Sequence, residues 1–202
     1  MIFKSKFNLT KLFGLIVFMT IHSAYAYDLA IGLGNLSEHI GVAQTDDQGN
    51  KAWLTFNPYL QVKTNFQFDL LPKTDFIETN VGITLPKNDR DPNTSRIKYY
   101  LNANYKHHFD SLYLSVGTGL FFTRVWANGG EEELDNGAGT TSFPLPDRAA
   151  VARNMIVNFA LGKRIDQELN LELHTFIFNI ENSDNRSFTA GVNLSYFFGE
   201  IK

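Results

Sequence analysis

Hydrophobic and polar positions alternate residue by residue along most of this chain. In "LTFNPYLQVKTNFQF", Leu54 to Phe68, one parity carries Leu54, Phe56, Leu60, Val62, Phe66 and Phe68, and the other carries Thr55, Asn57, Tyr59, Gln61, Lys63, Asn65 and Gln67. Side chains of a β-strand point alternately to its two faces, so the stretch predicts a strand with one apolar and one polar face. Its 15 residues far exceed the mean of about 5–6 for strands in soluble domains. The same alternation returns over Phe76–Leu85, Arg96–Phe109, Leu112–Phe122, Val151–Leu161, Leu169–Phe178 and Phe188–Phe198. With the Gly-rich "YDLAIGLGNL" from Tyr27, this makes eight predicted strands. Arg153 interrupts the apolar parity of its strand.

The connections alternate in length. Polar loops are predicted at Ala43–Lys51, Lys87–Ser95, Ala127–Asp147 and Glu181–Arg186, and shorter turns at Asp69–Asp75, Asp110–Ser111 and Asp166–Glu168. An even number of long antiparallel strands, with short turns at one end and longer loops at the other, is the pattern of an outer-membrane barrel. In a bilayer every backbone N–H and C=O must be paired within the protein, and a closed sheet achieves this with no free edge. The apolar parity is then the lipid-facing one, and the Asn/Gln/Lys/Tyr parity turns inward. Aromatic residues gather near strand ends, Phe66, Phe68, Tyr105, Phe109, Tyr196 and Phe198 at one level and Phe56, Tyr99 and Trp126 at the other, as interfacial girdles require.

The first 26 residues fit an export signal. Lys4, Lys6 and Lys11 precede a ten-residue apolar run, Leu12–Ile21, and Ala24 and Ala26 flank Tyr25 in the A-x-A form of a cleavage site. That run is half the roughly 20 residues of a spanning helix. The expected organisation is therefore a signal peptide at 1–26 and one barrel domain at 27–202. The 18 basic residues less the three signal lysines leave 15 against 21 acidic ones, a net charge of −6. Such a balance speaks against nucleic acid as a partner. There is no cysteine, hence neither a disulfide framework nor a lipidated Cys.

From about Tyr27 to Phe198 the chain resembles the small eight-stranded outer-membrane barrels of the OmpA/OmpX type. Its last strand resembles their C-terminal assembly signal, with Thr189, Gly191, Leu194 and Tyr196 at the spaced positions, although "GEIK" follows Phe198. The resemblance implies an all-β, eight-stranded antiparallel up-and-down transmembrane barrel in the bacterial outer membrane. Outer-membrane lipid, lipopolysaccharide and the barrel-assembly machinery are the partners it implies.

Eight strands enclose a lumen that side chains can fill, whereas water-filled porins use about 16–18. Inward Tyr59, Tyr100, Tyr113, Phe121, Phe176, Phe178 and Phe197 supply bulk, and Lys63, Glu78, Lys98, Lys106, Arg164 and Glu172 supply charge of both signs. Unpaired charges in a narrow lumen cost several kcal/mol, roughly, in desolvation, so an ion network of Lys63, Glu78, Lys106, Arg164 and Glu172 is expected. Register estimated from loop midpoints places Glu78 opposite Asn65 and Asn104, diagonal to Lys63 and Lys106, with Glu172 diagonal to Arg164. The same estimate places Ser195 opposite Glu172 and Asn193 opposite His174. Hydroxyl, imidazole and carboxylate are the groups of acyl hydrolysis, but this patch faces a filled lumen between Phe176 and Phe197. A structural or surface-interaction protein is the reading preferred over an acyl hydrolase acting on lipid or a narrow gated channel. Recognition is assigned to the loops, above all 127–147, with Glu131, Glu132, Glu133 and Asp135 followed by the apolar Phe143 and Leu145. Those carboxylates suit divalent cations at the lipopolysaccharide surface or an extracellular macromolecule, but their spacing matches no defined calcium loop. No zinc spacing, nucleotide fingerprint or cofactor motif occurs, so neither metal nor cofactor is expected.

Overall fold

The computed structural model describes residues 24–38, 44–45, 51–52, 55–88, 93–135, 139–180 and 186–201. Eight strands form the wall: β1 (Ala24–Glu38), β2 (Pro58–Phe68), β3 (Asp75–Thr84), β4 (Ser95–Phe109), β5 (Leu112–Trp126), β6 (Ala150–Arg164), β7 (Leu169–Phe178) and β8 (Ser187–Ile201). Each pairs antiparallel with the next, and β8 pairs with β1, as in Leu33 opposite Leu194. The sheet is therefore closed, and each wall strand has a partner on both sides.

The alternation in sequence becomes inside and outside. Leu33, Leu114 and Val192 are 64%, 50% and 51% exposed, whereas Lys106 and Glu78 are 0% exposed. A soluble barrel would show the reverse, because water rather than hydrocarbon would face the outer row. The outer surface is thus built for lipid.

Turns and loops sort to opposite ends. The β4–β5 turn is only Asp110–Ser111, with Asp110 in the left-handed region at φ 50°, a conformation that Asp tolerates better than most residues. In the β6–β7 turn, Asp166 Oδ1 accepts from the backbone N–H groups of Glu168 (2.8 Å) and Leu169 (2.7 Å), the Asx arrangement of a tight reversal. Beside these turns Tyr105 donates to Asp75, and Tyr196 donates to Glu168 Oε2 at 2.5 Å. Half-exposed rings with their hydroxyls tied to turn carboxylates form the girdle at this end. At the loop end Tyr99 stacks on Phe122 at 4.9 Å, and the Arg124 guanidinium lies 5.8 Å from the Trp126 ring.

Several boundaries differ from the sequence reading: β5 runs on from Phe122 to Trp126, β6 from Leu161 to Arg164 and β8 from Phe198 to Ile201. The predicted strand from Leu54 begins at Pro58, and Leu54 itself lies outside the described residues. Proline has no N–H to donate, so regular pairing stops there, with one further backbone bond from the Leu36 N–H to the Asn57 carbonyl at 3.0 Å. Side chains continue the attachment: Asn57 N–H donates to Asn35 Oδ1 (2.7 Å), Asn57 Nδ2 to the Leu36 carbonyl (2.8 Å), and Glu38 N–H to Thr55 Oγ1 (2.9 Å). The segment 127–147, read as one loop, contains a hairpin of Glu131–Asp135 with Thr140–Pro144. In addition β1 reaches back to Ala24, with an irregular register between Ala24 and Ala26.

Inside, cross-strand neighbours interlock. Tyr113 is paired with Gly162 and Tyr100 with Gly82, and a Cβ on either glycine would overlap the tyrosine ring. The missing side chain lets each ring lie flat across the adjacent strand, filling the lumen without pushing the wall outward.

Candidate functional site

The lumen is the most chemically loaded region among the described residues, and it is layered. Nearest the short turns is a charged layer. Lys63 Nζ donates to Glu172 Oε1 at 2.5 Å, and the other carboxylate oxygen accepts from the Tyr113 hydroxyl at 3.0 Å. Lys106 Nζ donates to Glu78 Oε2 at 2.9 Å and lies 3.9 Å from the centre of the Tyr113 ring. Glu78 Oε1 also accepts from Asn80 (3.0 Å) and Asn104 (3.2 Å). Two lysines and two glutamates, all at most 2% exposed, thus balance in charge while hydroxyls and amides occupy remaining lone pairs. Burial of charge is tolerable only under those conditions.

Above this layer Asn193 bridges Tyr59 and Gln61, accepts from Ser195 Oγ at 2.8 Å, and so joins β2 to β8. Next comes an apolar section of Leu36, Tyr59, Tyr100, Phe121, Ile156, Phe176 and Phe178. The Tyr100 and Phe176 rings are 4.8 Å apart, and Phe121 meets Phe178 edge-on at 5.1 Å, geometries that aromatic quadrupoles favour. At the loop end Glu38 pairs with Lys98 and lies 3.8 Å from Arg96. Cavities of about 260 and 150 Å³ open at the loop and turn ends and share no lining residue.

This architecture, a closed eight-stranded sheet with an apolar exterior and a polar, filled interior, has a counterpart among solved structures. It is the fold of the small outer-membrane β-barrels. Ail, the attachment invasion locus protein of Yersinia pestis, crystallised with the heparin analogue sucrose octasulfate, is 11% identical with a TM-score of 0.51, over 86% of this chain and 98% of Ail. Neisserial surface protein A (11%, TM-score 0.44, 84% and 96% of the two chains) and the N-terminal barrel of Pseudomonas aeruginosa OprF (9%, 0.46, 85% and 97%) are also similar. No family model and no curated protein matches the sequence.

Four members of the expected ion network, Lys63, Glu78, Lys106 and Glu172, are brought together, but with different pairings. Glu78 serves Lys106, while Lys63 crosses the lumen from β2 to reach Glu172 on β7. Arg164 does not join them. It pairs in register with Asn170 at the turn-end rim and is exposed, and Glu172 turns instead to Lys63.

The Ser195–His174–Glu172 patch is likewise corrected. Ser195 faces Asn170, Glu172 faces Asn193 and His174 faces Gly191, a shift of two residues from the loop-midpoint register. Ser195 Oγ is committed to Asn193, while His174 meets Tyr59 (3.3 Å) and Glu172 (3.5 Å). No hydrogen bond joins the Ser195 hydroxyl to the His174 imidazole, the contact that would activate a serine nucleophile. Sequence reasoning missed Glu38, because the predicted first strand stopped at Leu36. Its inward parity on a strand continued by two residues was the available signal.

The hairpin candidates project from the loop end. Glu131 and Glu133 are exposed, Ser142 Oγ donates to Glu131 Oε2 at 2.8 Å, and Leu145 is half-buried. The side chains of Glu132, Asp135 and Phe143 lie outside those described. Gly129 and Gly130 have φ of +74° and +92° at the hairpin's base, where the Leu145 N–H donates to the Gly130 carbonyl at 2.9 Å.

Proposed function

We propose that this protein is a side-chain-filled barrel of the bacterial outer membrane whose work is structural support and surface interaction through its loops. The observation that carries this reading is the layered lumen. Charged, amide and aromatic layers fill the interior between the two end cavities, which leaves recognition to the projecting segments. The hairpin 131–144 is the foremost of these, and residues 1–26 act as the export signal that delivers the chain to the assembly machinery, so that after its removal β1 starts at Tyr27 rather than Ala24. Ail's likeness supports the fold, and its crystallised ligand is a sulfated sugar. Exposed Glu131 and Glu133 have the opposite preference, favouring a cationic macromolecule or divalent ions bridging to lipopolysaccharide phosphate.

The test is surface display on cells, comparing the native hairpin with Glu131→Gln/Glu132→Gln/Glu133→Gln/Asp135→Asn. Adherence to a basic protein surface is expected to fall with the charge while heat-modifiable gel mobility is retained. Equal adherence of the two forms would count against the hairpin as the contact.

A further inference from the structure

We propose that the outer wall carries a binding site for one glycerophospholipid of the periplasmic leaflet, with its phosphate between His107 and Lys163 and an acyl chain in the groove beside them. The site rests on the bilayer orientation given above, but uses neither the lumen nor the loops.

A groove of about 430 Å³ crosses β4 to β7 on the lipid side, walled by Tyr105, Phe109, Leu114, Phe159, Leu161 and Leu173. It falls in the range of about 300–1,000 Å³ typical of ligand clefts. Thr175 lines it too, opposite Phe159, and this short side chain leaves a depression where the other outward positions of β7 carry Leu or Ile. The walls are aliphatic and aromatic, and the surrounding solvent is hydrocarbon, so the occupant is an alkyl chain.

The turn end of the groove is polar. His107 pairs in register with Leu114, and Lys163 with Leu112, so the two bracket β5 from either side at headgroup level. Two strand spacings of about 4.8 Å and a two-residue offset of about 7 Å along β5 separate their backbones by ~12 Å, a gap that a lysine side chain and a phosphate can span together. The ring of His107 is held by its Nδ1 contact to Asp75 Oδ1 at 2.6 Å and by Phe109 at 4.3 Å. With Nδ1–H donating to the Asp75 carboxylate, Nε2 is the ring nitrogen left outward, and it donates to a phosphate oxygen when the ring carries both protons. Asp75 is nearly buried and also accepts from Tyr105 and from Thr74 Oγ1 (2.8 Å). Asp75 does not line the groove, and Lys163, exposed on the same side, supplies the cationic charge. Phosphate supplies both the acceptor oxygens and the negative charge that this pair suits.

The test is native mass spectrometry of the folded barrel released from detergent, titrated with phosphatidylglycerol, phosphatidylethanolamine or inorganic phosphate. The wild type should retain one phosphatidylglycerol, in preference to phosphatidylethanolamine. His107→Phe and Lys163→Gln should each lower retention by about tenfold, Thr175→Trp should fill the groove and abolish it, and inorganic phosphate should not compete. Equal retention by all four proteins would show annular lipid only and overturn the site, as would displacement by inorganic phosphate or a dimer that Thr175→Trp dissolves. Lys163 is exposed, so Lys163→Gln decides the matter even if the other variants misfold. Loss of heat-modifiable mobility in the wild type would contradict the barrel itself, whereas a folded barrel that retains no lipid contradicts this site alone.

Discussion

Lys63 and Glu172 meet at 2.5 Å across the lumen, although 109 residues separate them in the chain. Their strands are not neighbours in the sheet, so the ion pair ties opposite sides of the barrel. Breaking a buried pair by removing one partner costs about 3–5 kcal/mol, because the other charge is left uncompensated. Glu172→Gln should therefore destabilise the barrel towards the lower end of that range, since Glu78 still lies in the same layer as Lys63. Adding Lys63→Met should recover part of the loss, as non-additive neighbours do. Urea unfolding in lipid vesicles measures the cycle. Glu78 with Lys63 should couple more weakly than Glu172 with Lys63, and the reverse order would contradict the pairing.

Gly162 lies beneath the Tyr113 ring, whose hydroxyl reaches Glu172. Gly162→Ala should cost roughly 1–3 kcal/mol through overpacking, despite the better strand propensity of alanine. In a Tyr113→Ala background the same change should be nearly silent. A thermal melt of the four proteins separates steric conflict from any effect of glycine on the backbone.

The lipid-facing row sets a third expectation. Leu101→Arg and Val192→Arg replace residues 43% and 51% exposed on the outer wall and should each destabilise insertion by about 2–4 kcal/mol near the midplane. Arg153, already on the outer face towards the loop end, should accept Arg153→Leu with little change. Refolding titrations into vesicles report these values.

The wall was largely legible in the sequence, because period-two alternation is imposed twice, by lipid outside and by the polar lumen inside. The limits of β7, Leu169–Phe178, coincide with the sequence reading, and so does the register of Glu78 against Asn65 and Asn104. The β7–β8 register was misjudged by two residues. Asn179 leaves the strand in the left-handed region at φ 51°, so the loop begins before the polar run that marks it in sequence. A two-residue shift keeps every side chain on its face, and alternation alone could not reveal it. The Lys63–Glu172 contact was illegible for another reason: hairpin arithmetic finds only adjacent strands, and this pair spans the barrel's interior.

The most direct test of a filled lumen is ion current through the purified, folded protein in planar bilayers. The packing of Lys63, Lys106, Glu78 and Glu172 beneath the Tyr100–Phe121–Phe176 section predicts no large, steady conductance at any modest voltage. Reproducible porin-like steps that survive repurification and vanish with the folded form would contradict it.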